Sequence, residues 1–306
     1  MKEKISTTLQ AILATTAKET EAARSRESLK RVKQMAKDAP KIRSFKRALA
    51  SGPSLIAEIK QCSPSQGPMK AANFKQAPFA YRDSHIVKAI SVLTNQTHFG
   101  ASMTVARMEK IRAIVSKPIL RKDFITDEYQ VYQSRAYGAD AILLMANILG
   151  REELSGLSSL AFDLGMDVLF ETHCVAELEE LPASAVLVGI NCRDFDAAPS
   201  GFRIAKFFRQ WLWASSDWSV KKDKLGYASQ LPAGAIKIAE SGVTVKNCEN
   251  VFGMGFHSAL VGTSLLMDPR GIAAALFDFE QEIDRMRKTS APLESYKDPS
   301  LAPALA

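Results

Sequence analysis

The chain has 306 residues and a formal net charge of +7, with 46% hydrophobic and 24% charged residues, which is typical of a globular protein with ample core material. No apolar run approaches the roughly 18 residues of a membrane span, which excludes an integral membrane helix. The four cysteines show no CxxC or other metal-binding spacing. Because the N-terminal residues lack the apolar region of a signal peptide, a cytoplasmic protein with reduced thiols is expected.

Apolar residues at helical spacing, such as Leu9 and Ile12, predict a helix over residues 4–36. Much of the positive charge lies between Lys18 and Arg47. This basic face could be simply solvated, could attract an anionic substrate or could bind nucleic acid. Because no nucleic-acid motif or aromatic interleaving accompanies it, neither a nucleic acid nor a membrane is expected as a partner.

Eight short apolar segments follow, over residues 55–59, 89–93, 118–120, 141–145, 167–170, 186–190, 236–239 and 259–261. Continuous apolar strands are typical of a parallel sheet buried on both faces. Helical patterns separate them, for example over 126–138 and 152–165. The alternation predicts an α/β fold, a (β/α)8 TIM barrel over 49–288 behind an N-terminal helical extension over 1–48. A doubly wound sheet is the alternative, but no GxGxxG follows the first strand.

The interval between the sixth and seventh strands is longer than the about 25 residues that one loop and one helix need. It carries all three tryptophans, Trp211, Trp213 and Trp218. We predict a helix over 202–213 and an added surface segment over 214–230. The tryptophans either pack this segment onto the barrel or form a surface for a partner. The proline-containing tail over 289–306 is predicted to be disordered.

Ionisable residues stand at the carboxyl ends of the first, third and fifth predicted strands: Glu58 and Lys60, Lys122, and Glu171. Barrel enzymes build their active sites at that face. A lysine among apolar walls and near another cation has a lowered pKa and can donate a proton, and a glutamate in the same mouth can be the complementary base. Each of these residues alone could instead form a structural salt bridge.

The loops after the seventh and eighth strands predict a phosphate site. Ser241 and Gly242 end one element, and Gly262 and Thr263 end the other. Glycine lets backbone N–H groups approach a ligand, and these two loops are the recurrent phosphate site of barrel enzymes. The alternative is plain helix capping by Ser241, Thr263 or Ser264.

Asn191 and Arg193 end the sixth strand. Because an arginine can bind a carboxylate at two points, Arg193 is expected to hold a second anionic group, unless it pairs with Asp123 or Asp194. Apolar residues that could wall a ring-sized pocket are Phe99, Phe124, Leu143 and Phe195. No histidine is assigned a catalytic role, although His173 lies near the mouth, and no histidine–carboxylate cluster predicts a metal.

Eight motifs in fixed order then carry a resemblance: AEIKQCSPS, ISVLTNQTHF, PILRKDF, GADAILLM, LFETH, VGINCRDF, AESGV and LVGTSLLM. Over residues 1–288 the chain resembles the indole-3-glycerol phosphate synthase family of tryptophan biosynthesis. The resemblance implies a carboxy-lyase that closes a pyrrole ring on 1-(2-carboxyphenylamino)-1-deoxyribulose 5-phosphate, with loss of carbon dioxide and water. It implies no cofactor, and a monomer or weak homodimer.

By this resemblance Lys122 is the general acid and Glu171 the general base. Lys60 contacts substrate or shares the acid role, and Glu58 orients the lysines. The other implied site residues are Asn191 and Arg193 near the substrate carboxylate and hydroxyls, Ser63, Ser241, Gly242, Gly262 and Thr263 for the phosphate, Pro64, Phe99, Phe124, Leu143 and Phe195 for the ring, and Glu240 as a further substrate contact.

The loops after the first two strands depart from the family pattern, with Gln66 and Pro68 in one and a displaced glycine, Gly100, in the other. Two alternatives to an active synthase stay open at this point. One is another phosphate-binding barrel enzyme, such as an isomerase of the same pathway. The other is a non-catalytic or secondary-metabolism paralogue, which could act through the tryptophan-bearing segment.

Overall fold

A computed structural model describes residues 7–63, 66–192, 225–232 and 234–289 of the protein. Eight parallel strands form a closed barrel in which the last strand pairs with the first. They are β1 Ser54–Ile59, β2 Val87–Leu93, β3 Ile119–Lys122, β4 Ala141–Met145, β5 Asp167–Thr172, β6 Leu187–Asn191, β7 Ile236–Glu240 and β8 Ser258–Val261. The predicted fold class is confirmed, and every predicted strand is present with small shifts at its ends.

Helices precede the barrel and follow most of its strands. They are α1 Thr7–Arg26, α2 Leu29–Asp38, α3 Phe45–Leu49, α4 Ala71–Asp83, α5 Gln96–Phe99, α6 Val105–Ile114, α7 Glu128–Ala136, α8 Arg151–Asp163, α9 Val245–Gly253, α10 Thr263–Leu266 and α11 Ile272–Thr289. A 3₁₀ helix, Val175–Glu180, follows β5 in place of an α-helix, and a second, Gly226–Gln230, precedes β7. Among the described residues, no helix is both long and apolar enough to cross a bilayer.

The prediction of one helix over residues 4–36 is wrong, because the helix is interrupted between α1 and α2. Ser28 has an extended backbone, with φ −61° and ψ 151°, and its side chain accepts a hydrogen bond from the backbone N–H of Arg31. A serine in this conformation caps a new helix instead of continuing the old one. The predicted helix over 202–213, most of the segment over 214–230 and the tail from residue 290 lie outside the described residues.

The barrel interior is apolar toward the amino ends of the strands and becomes ionisable at their carboxyl ends. Alternate residues of a strand face the same side, and one apolar cluster fills the interior: Ile56, Ala89, Leu120, Ala141, Leu143, Met145, Leu169, Leu187, Ile236, Ile238 and Leu260, joined by Leu9 and Ile12 of α1 and by Phe45 and Leu49 of α3. The next position facing the same way carries Glu58 after Ile56, Lys122 after Leu120, Glu171 after Leu169 and Glu240 after Ile238. The same pleat that fills the core therefore delivers charged groups to one mouth.

A buried ion pair fastens the N-terminal extension to the barrel. Asp140, just before β4, accepts hydrogen bonds from Arg112 Nη1 at 2.6 Å, from the backbone N–H of Arg43 at 2.8 Å and from that of Ile119 at 2.9 Å. Arg112 also donates through Nη2 to the carbonyl of Lys41 at 2.8 Å. Both charged side chains are buried, so each depends on the other for compensation.

Replacing Arg112 with methionine is expected to lower the free energy of unfolding by about 3–5 kcal/mol, because Asp140 would be left as an uncompensated buried charge. Equilibrium unfolding in urea measures the change. Arg270→Met is the matched control, since Arg270 forms surface ion pairs with a side chain that is 55% exposed; we expect less than about 1 kcal/mol from it. Equal losses in the two variants would show that the buried pair does not anchor the extension.

Candidate active site

Five ionisable side chains meet at the carboxyl end of the barrel: Glu58, Lys60, Lys122, Glu171 and Glu240. Lys122 Nζ donates to Glu171 Oε2 at 3.0 Å and to Glu240 Oε2 at 2.8 Å. Lys60 Nζ donates to Glu58 Oε1 at 2.5 Å. The side chain of Lys122 is 16% exposed and the other four are more deeply buried. The structure thus brings the predicted acid and base into direct contact.

The carboxylate of Glu171 is held on both of its oxygens. Asn191, at the end of β6, donates through Nδ2 to Glu171 Oε1 at 3.0 Å, while Lys122 occupies Oε2. His173 lies on the Oε1 side, with its Nε2 3.3 Å away. Sequence analysis gave this histidine no role; its position two residues after Glu171 was the one available signal.

The expectation of a lowered lysine pKa is wrong for Lys122. Burial alone would lower the pKa of this amine, but the surrounding carboxylates, first of all that of Glu171, outweigh burial and raise it above the ordinary lysine value. The neighbours that decide the direction are anions and not a second cation. Lys122 is consequently a fully protonated donor at neutral pH.

The two glutamates that contact Lys122 are pushed in opposite directions. Burial works to raise the pKa of Glu171, but Lys122 and His173 overcome burial and lower it. Burial raises the pKa of Glu240, and Glu171 adds to the rise, because two adjacent carboxyls do not both ionise readily. Of the two, Glu171 is the carboxyl that more readily ionises and Glu240 the one that more readily holds a proton.

Two glycines leave the space that these carboxylates occupy. A Cβ added at Gly189 of β6 would lie 2.1 Å from Glu240 Oε1, and one at Gly262 would lie 2.3 Å from Glu58 Oε1. Neither glycine has a positive φ, so the requirement is for space and not for an unusual backbone. Gly189 was not identified from the sequence as a site residue.

Replacing Gly189 with alanine is expected to lower kcat by about tenfold or more. The new methyl group would push the Glu240 carboxyl away from Lys122, and small displacements of catalytic groups have effects of this size. Steady-state kinetics of the variant measure the change. Gly156→Ala is the control, because a Cβ there meets nothing within 4 Å. A Gly189→Ala enzyme with unchanged kcat would contradict the spatial argument.

The loops after β7 and β8 contact each other. Ser241 has φ 68° and is the one non-glycine with positive φ among the described residues, followed by Gly242 with φ 76°. Such strain costs about 1–3 kcal/mol and is found mainly at functional sites. Ser264 Oγ donates to the carbonyl of Val243 at 2.8 Å, which ties the two loops together.

The alternative of plain helix capping is wrong for Ser241. Helix α9 is capped by Thr244, three residues later, in a reciprocal arrangement with Asn247. Helix α10 begins after Gly262, with no side-chain cap, and Thr263 is its first helical residue. Capping therefore does not account for Ser241 or Thr263, and both side chains stay partly exposed.

Three of the apolar candidates belong to the interior apolar cluster or pack against it. Phe124 and Leu143 are buried in the interior cluster, and the partly buried Phe99 packs against it. Ser63 is buried in a two-stranded hairpin, Cys62–Ser63 with Gly67–Pro68, just after β1.

Three predicted site residues, Pro64, Arg193 and Phe195, lie outside the described residues. The alternative partner considered for Arg193, Asp123, already accepts hydrogen bonds from Arg121 at 2.9 Å and Thr94 at 2.6 Å.

A closed (β/α)8 barrel with a buried lysine–carboxylate cluster at the carboxyl ends of its strands has the architecture of the barrel enzymes, which build their active sites at that face. The family model described as "Indole-3-glycerol phosphate synthase" matches residues 9–198. The chain belongs to the indole-3-glycerol phosphate synthase family, which confirms the resemblance carried by the motifs.

Relatives support the assignment over most of the chain. The indole-3-glycerol phosphate synthase of Bacteroides thetaiotaomicron is 34% identical, covering 79% of this chain and 86% of that protein. The synthase of Paenarthrobacter aurescens is 35% identical, covering 86% of this chain and 92% of that protein. A crystal structure of 3-hexulose-6-phosphate synthase, 16% identical, matches with a TM-score of 0.54 over 75% of this chain and 99% of that chain, and supports the fold alone.

Proposed function

We propose that this protein is an active indole-3-glycerol phosphate synthase that acts in tryptophan biosynthesis in the cytoplasm. Its substrate would be the anionic conjugate 1-(2-carboxyphenylamino)-1-deoxyribulose 5-phosphate. One bond forms, between a ring carbon and the ribulose carbonyl carbon, and carbon dioxide and water are lost. The observation that carries the proposal is the three-way contact of Lys122 with Glu171 and Glu240 in a chain of this family.

Lys122 is proposed as the general acid. When the ring carbon attacks the carbonyl, negative charge develops on the carbonyl oxygen and must be met by a donor. Lys122 is protonated because of its carboxylate neighbours, so it can donate a hydrogen bond at once and a proton as the bond forms. Loss of carbon dioxide then returns the carbon–carbon bonding electrons to the ring. Lys60, held by Glu58, is proposed to contact substrate or share this role.

Glu171 is proposed as the base of the dehydration step. The hydroxyl group leaves as water with a proton from one of the two protonated lysines, and Glu171 removes a proton from the new five-membered ring, which completes the aromatic pyrrole. Glu171 suits this task because its pKa is lowered, which keeps it ionised, and because Asn191 fixes its orientation. Glu240 is proposed to contact the substrate beside Lys122.

Substrate binding is proposed to divide among three parts of the mouth. The phosphate would lie on Ser63, Ser241, Gly242, Gly262 and Thr263, and the strained backbone at Ser241 supports that placement. The aromatic ring would lie against Pro64, Phe99, Phe124, Leu143 and Phe195. Arg193, two residues after Asn191 in the sequence, would bind the carboxylate through its forked guanidinium.

A fluorescence assay for indole-3-glycerol phosphate tests the proposal with purified protein and the synthetic conjugate. We expect product formation with saturation kinetics, and release of one carbon dioxide for each indole formed. Growth rescue of a tryptophan auxotroph would then address the cellular role. Absence of product from folded protein at saturating substrate would contradict the proposal and favour a non-catalytic paralogue.

A further inference from the structure

His173 lies between two carboxylates just beyond the end of β5. Its Nε2 is 3.3 Å from Glu171 Oε1, and its Nδ1 is 3.6 Å from Glu177 Oε2. The residue is 9% exposed. The imidazole therefore separates the proposed base on its inner side from a second glutamate on its outer side.

The local backbone explains how Glu177 reaches this place. The segment after β5 forms the 3₁₀ helix Val175–Glu180, and Glu177 turns back to accept a hydrogen bond from the backbone N–H of His173 at 2.6 Å. The same Glu177 oxygen thus lies near both the backbone N–H and the ring Nδ1 of His173. Glu177, which makes this contact, therefore belongs to the 3₁₀ helix that follows β5 in place of an α-helix.

Both ring nitrogens of His173 face a carboxylate. Glu171 Oε1 lies 3.3 Å from Nε2, and Glu177 Oε2 lies 3.6 Å from Nδ1. A ring nitrogen that carries a proton can donate toward such an oxygen, because a carboxylate can only accept. Asn191 donates to the same oxygen of Glu171, so the two side chains together constrain that oxygen.

We propose that His173 is a positioning residue for Glu171 and that Glu177 holds its ring in place. The proposal rests on the proposed role of Glu171 as the base. Asn191 donates to Oε1 and His173 Nε2 lies 3.3 Å from it, while Oε2 faces Lys122. A carboxylate held in this way populates fewer unproductive orientations, which favours proton transfer.

The other titratable groups on this side of the mouth do not supply a competing charge at neutral pH. Burial raises the pKa of the Tyr227 hydroxyl, which contacts Thr172 Oγ1 at 3.3 Å, and burial also raises the pKa of the Cys174 thiol. Both groups are neutral in their protonated forms. On the far side of Glu171 stand Lys122 and Glu240. Among the described residues, the carboxylates that contact the ring are those of Glu171 and Glu177.

The test compares His173→Phe, His173→Gln and Glu177→Gln in the fluorescence assay across a range of pH. His173→Phe should lower kcat by about 10- to 100-fold with little change in KM, because orientation and not binding is lost. The acid limb of kcat/KM should move to higher pH, since a cation that lowers the pKa of Glu171 is removed. His173→Gln should restore part of kcat through its amide donor but leave the acid limb displaced.

Glu177→Gln should act in the same direction with a smaller effect. If Glu177 affects turnover only by holding the His173 ring, the His173→Phe/Glu177→Gln double variant should be no slower than His173→Phe alone. Glu179→Gln is the matched control, because Glu179 lies on the same 3₁₀ helix with an exposed side chain, and it should leave both kcat and the pH profile unchanged.

The outcomes separate the two levels of the proposal. A wild-type protein without product, or a Glu171→Gln variant with normal turnover, would overturn the proposed function or the role of Glu171. An active wild type with an inactive Glu171→Gln variant, combined with a normal pH profile and kcat in His173→Phe, would overturn the positioning role alone. If His173→Phe does not fold, an unchanged profile in Glu177→Gln and His173→Gln overturns it equally.

Discussion

Replacing Lys122 with methionine is expected to lower kcat by about 10³-fold or more, within the range found for general acid–base groups. Methionine retains the length of the side chain but can neither donate a proton nor stabilise a developing oxyanion. Because Lys122 contacts both Glu171 and Glu240, its loss also removes the cation that most favours the ionised form of Glu171. The pKa of Glu171 should therefore rise, so the substitution changes the proposed base together with the proposed acid.

This coupling predicts strong non-additivity. A Lys122→Met/Glu171→Gln double variant should be little slower than Lys122→Met alone, because groups that act as a unit do not contribute independently. Steady-state kinetics of the single and double variants measure this directly. Effects that simply multiply would contradict the energetic coupling of the two residues.

Lys117 provides a control from the opposite end of the same strand. It lies just before β3, and burial lowers its pKa to about 8. Its Nζ donates to the backbone carbonyl of Tyr81 at 2.5 Å and to that of Ser84. Lys117→Met should cost about 1–3 kcal/mol of stability through unsatisfied carbonyls but leave kcat nearly unchanged. A Lys122→Met enzyme that keeps kcat within about tenfold of wild type would contradict its role as the acid.

The position of the charged mouth was predictable from the sequence because it depends on local rules. Each strand is a short apolar run, and its alternation sends every second residue into the interior. The ionisable residue that ends such a run must therefore lie at one end of the barrel. This reasoning placed Glu58, Lys122 and Glu171 correctly at the same mouth without any knowledge of which side chains would touch.

The electrostatics of Lys122 were not predictable in the same way. The carboxylates that contact it are 49 and 118 residues away in the chain, at Glu171 and Glu240. The direction of a pKa shift depends on which charges come within a few ångströms, and that is decided by barrel closure and by the space left at Gly189. A rule based on apolar walls and a neighbouring cation therefore gave the wrong sign.

The displaced glycine after β2 also has an explanation that only the fold reveals. Gly100 has φ 111°, and a Cβ there would lie 2.6 Å from the side chain of Gln61, which follows β1. Ser102 donates to Gln61 Oε1 from its backbone N–H at 3.1 Å and from its hydroxyl at 2.8 Å. The loop after β2 therefore packs against Gln61 at the end of β1, which leaves no room for a side chain at position 100.

Replacing Glu171 with glutamine is expected to lower kcat by about 10³-fold while KM changes little. Glutamine has the same shape and can still accept from Lys122 through its amide oxygen, but it cannot take up a proton. The amide of Asn191 can rotate so that its oxygen accepts from the new NH2 group, which keeps the packing intact. The dissociation constant of the substrate, measured by titration of the inactive variant, should therefore be close to the wild-type KM.

Asp167 supplies the matching control because it is the first residue of β5, the strand that carries Glu171 near its other end. Asp167 Oδ2 accepts the backbone N–H of Lys46 at 2.9 Å, and burial raises its pKa. Asp167→Asn retains an acceptor oxygen, so it should change stability by about 1 kcal/mol and leave kcat unchanged. If both variants lose activity in proportion to their loss of stability, the effect of Glu171→Gln is structural. If the Glu171→Gln variant folds, binds substrate and turns over at the normal rate, Glu171 is not the base.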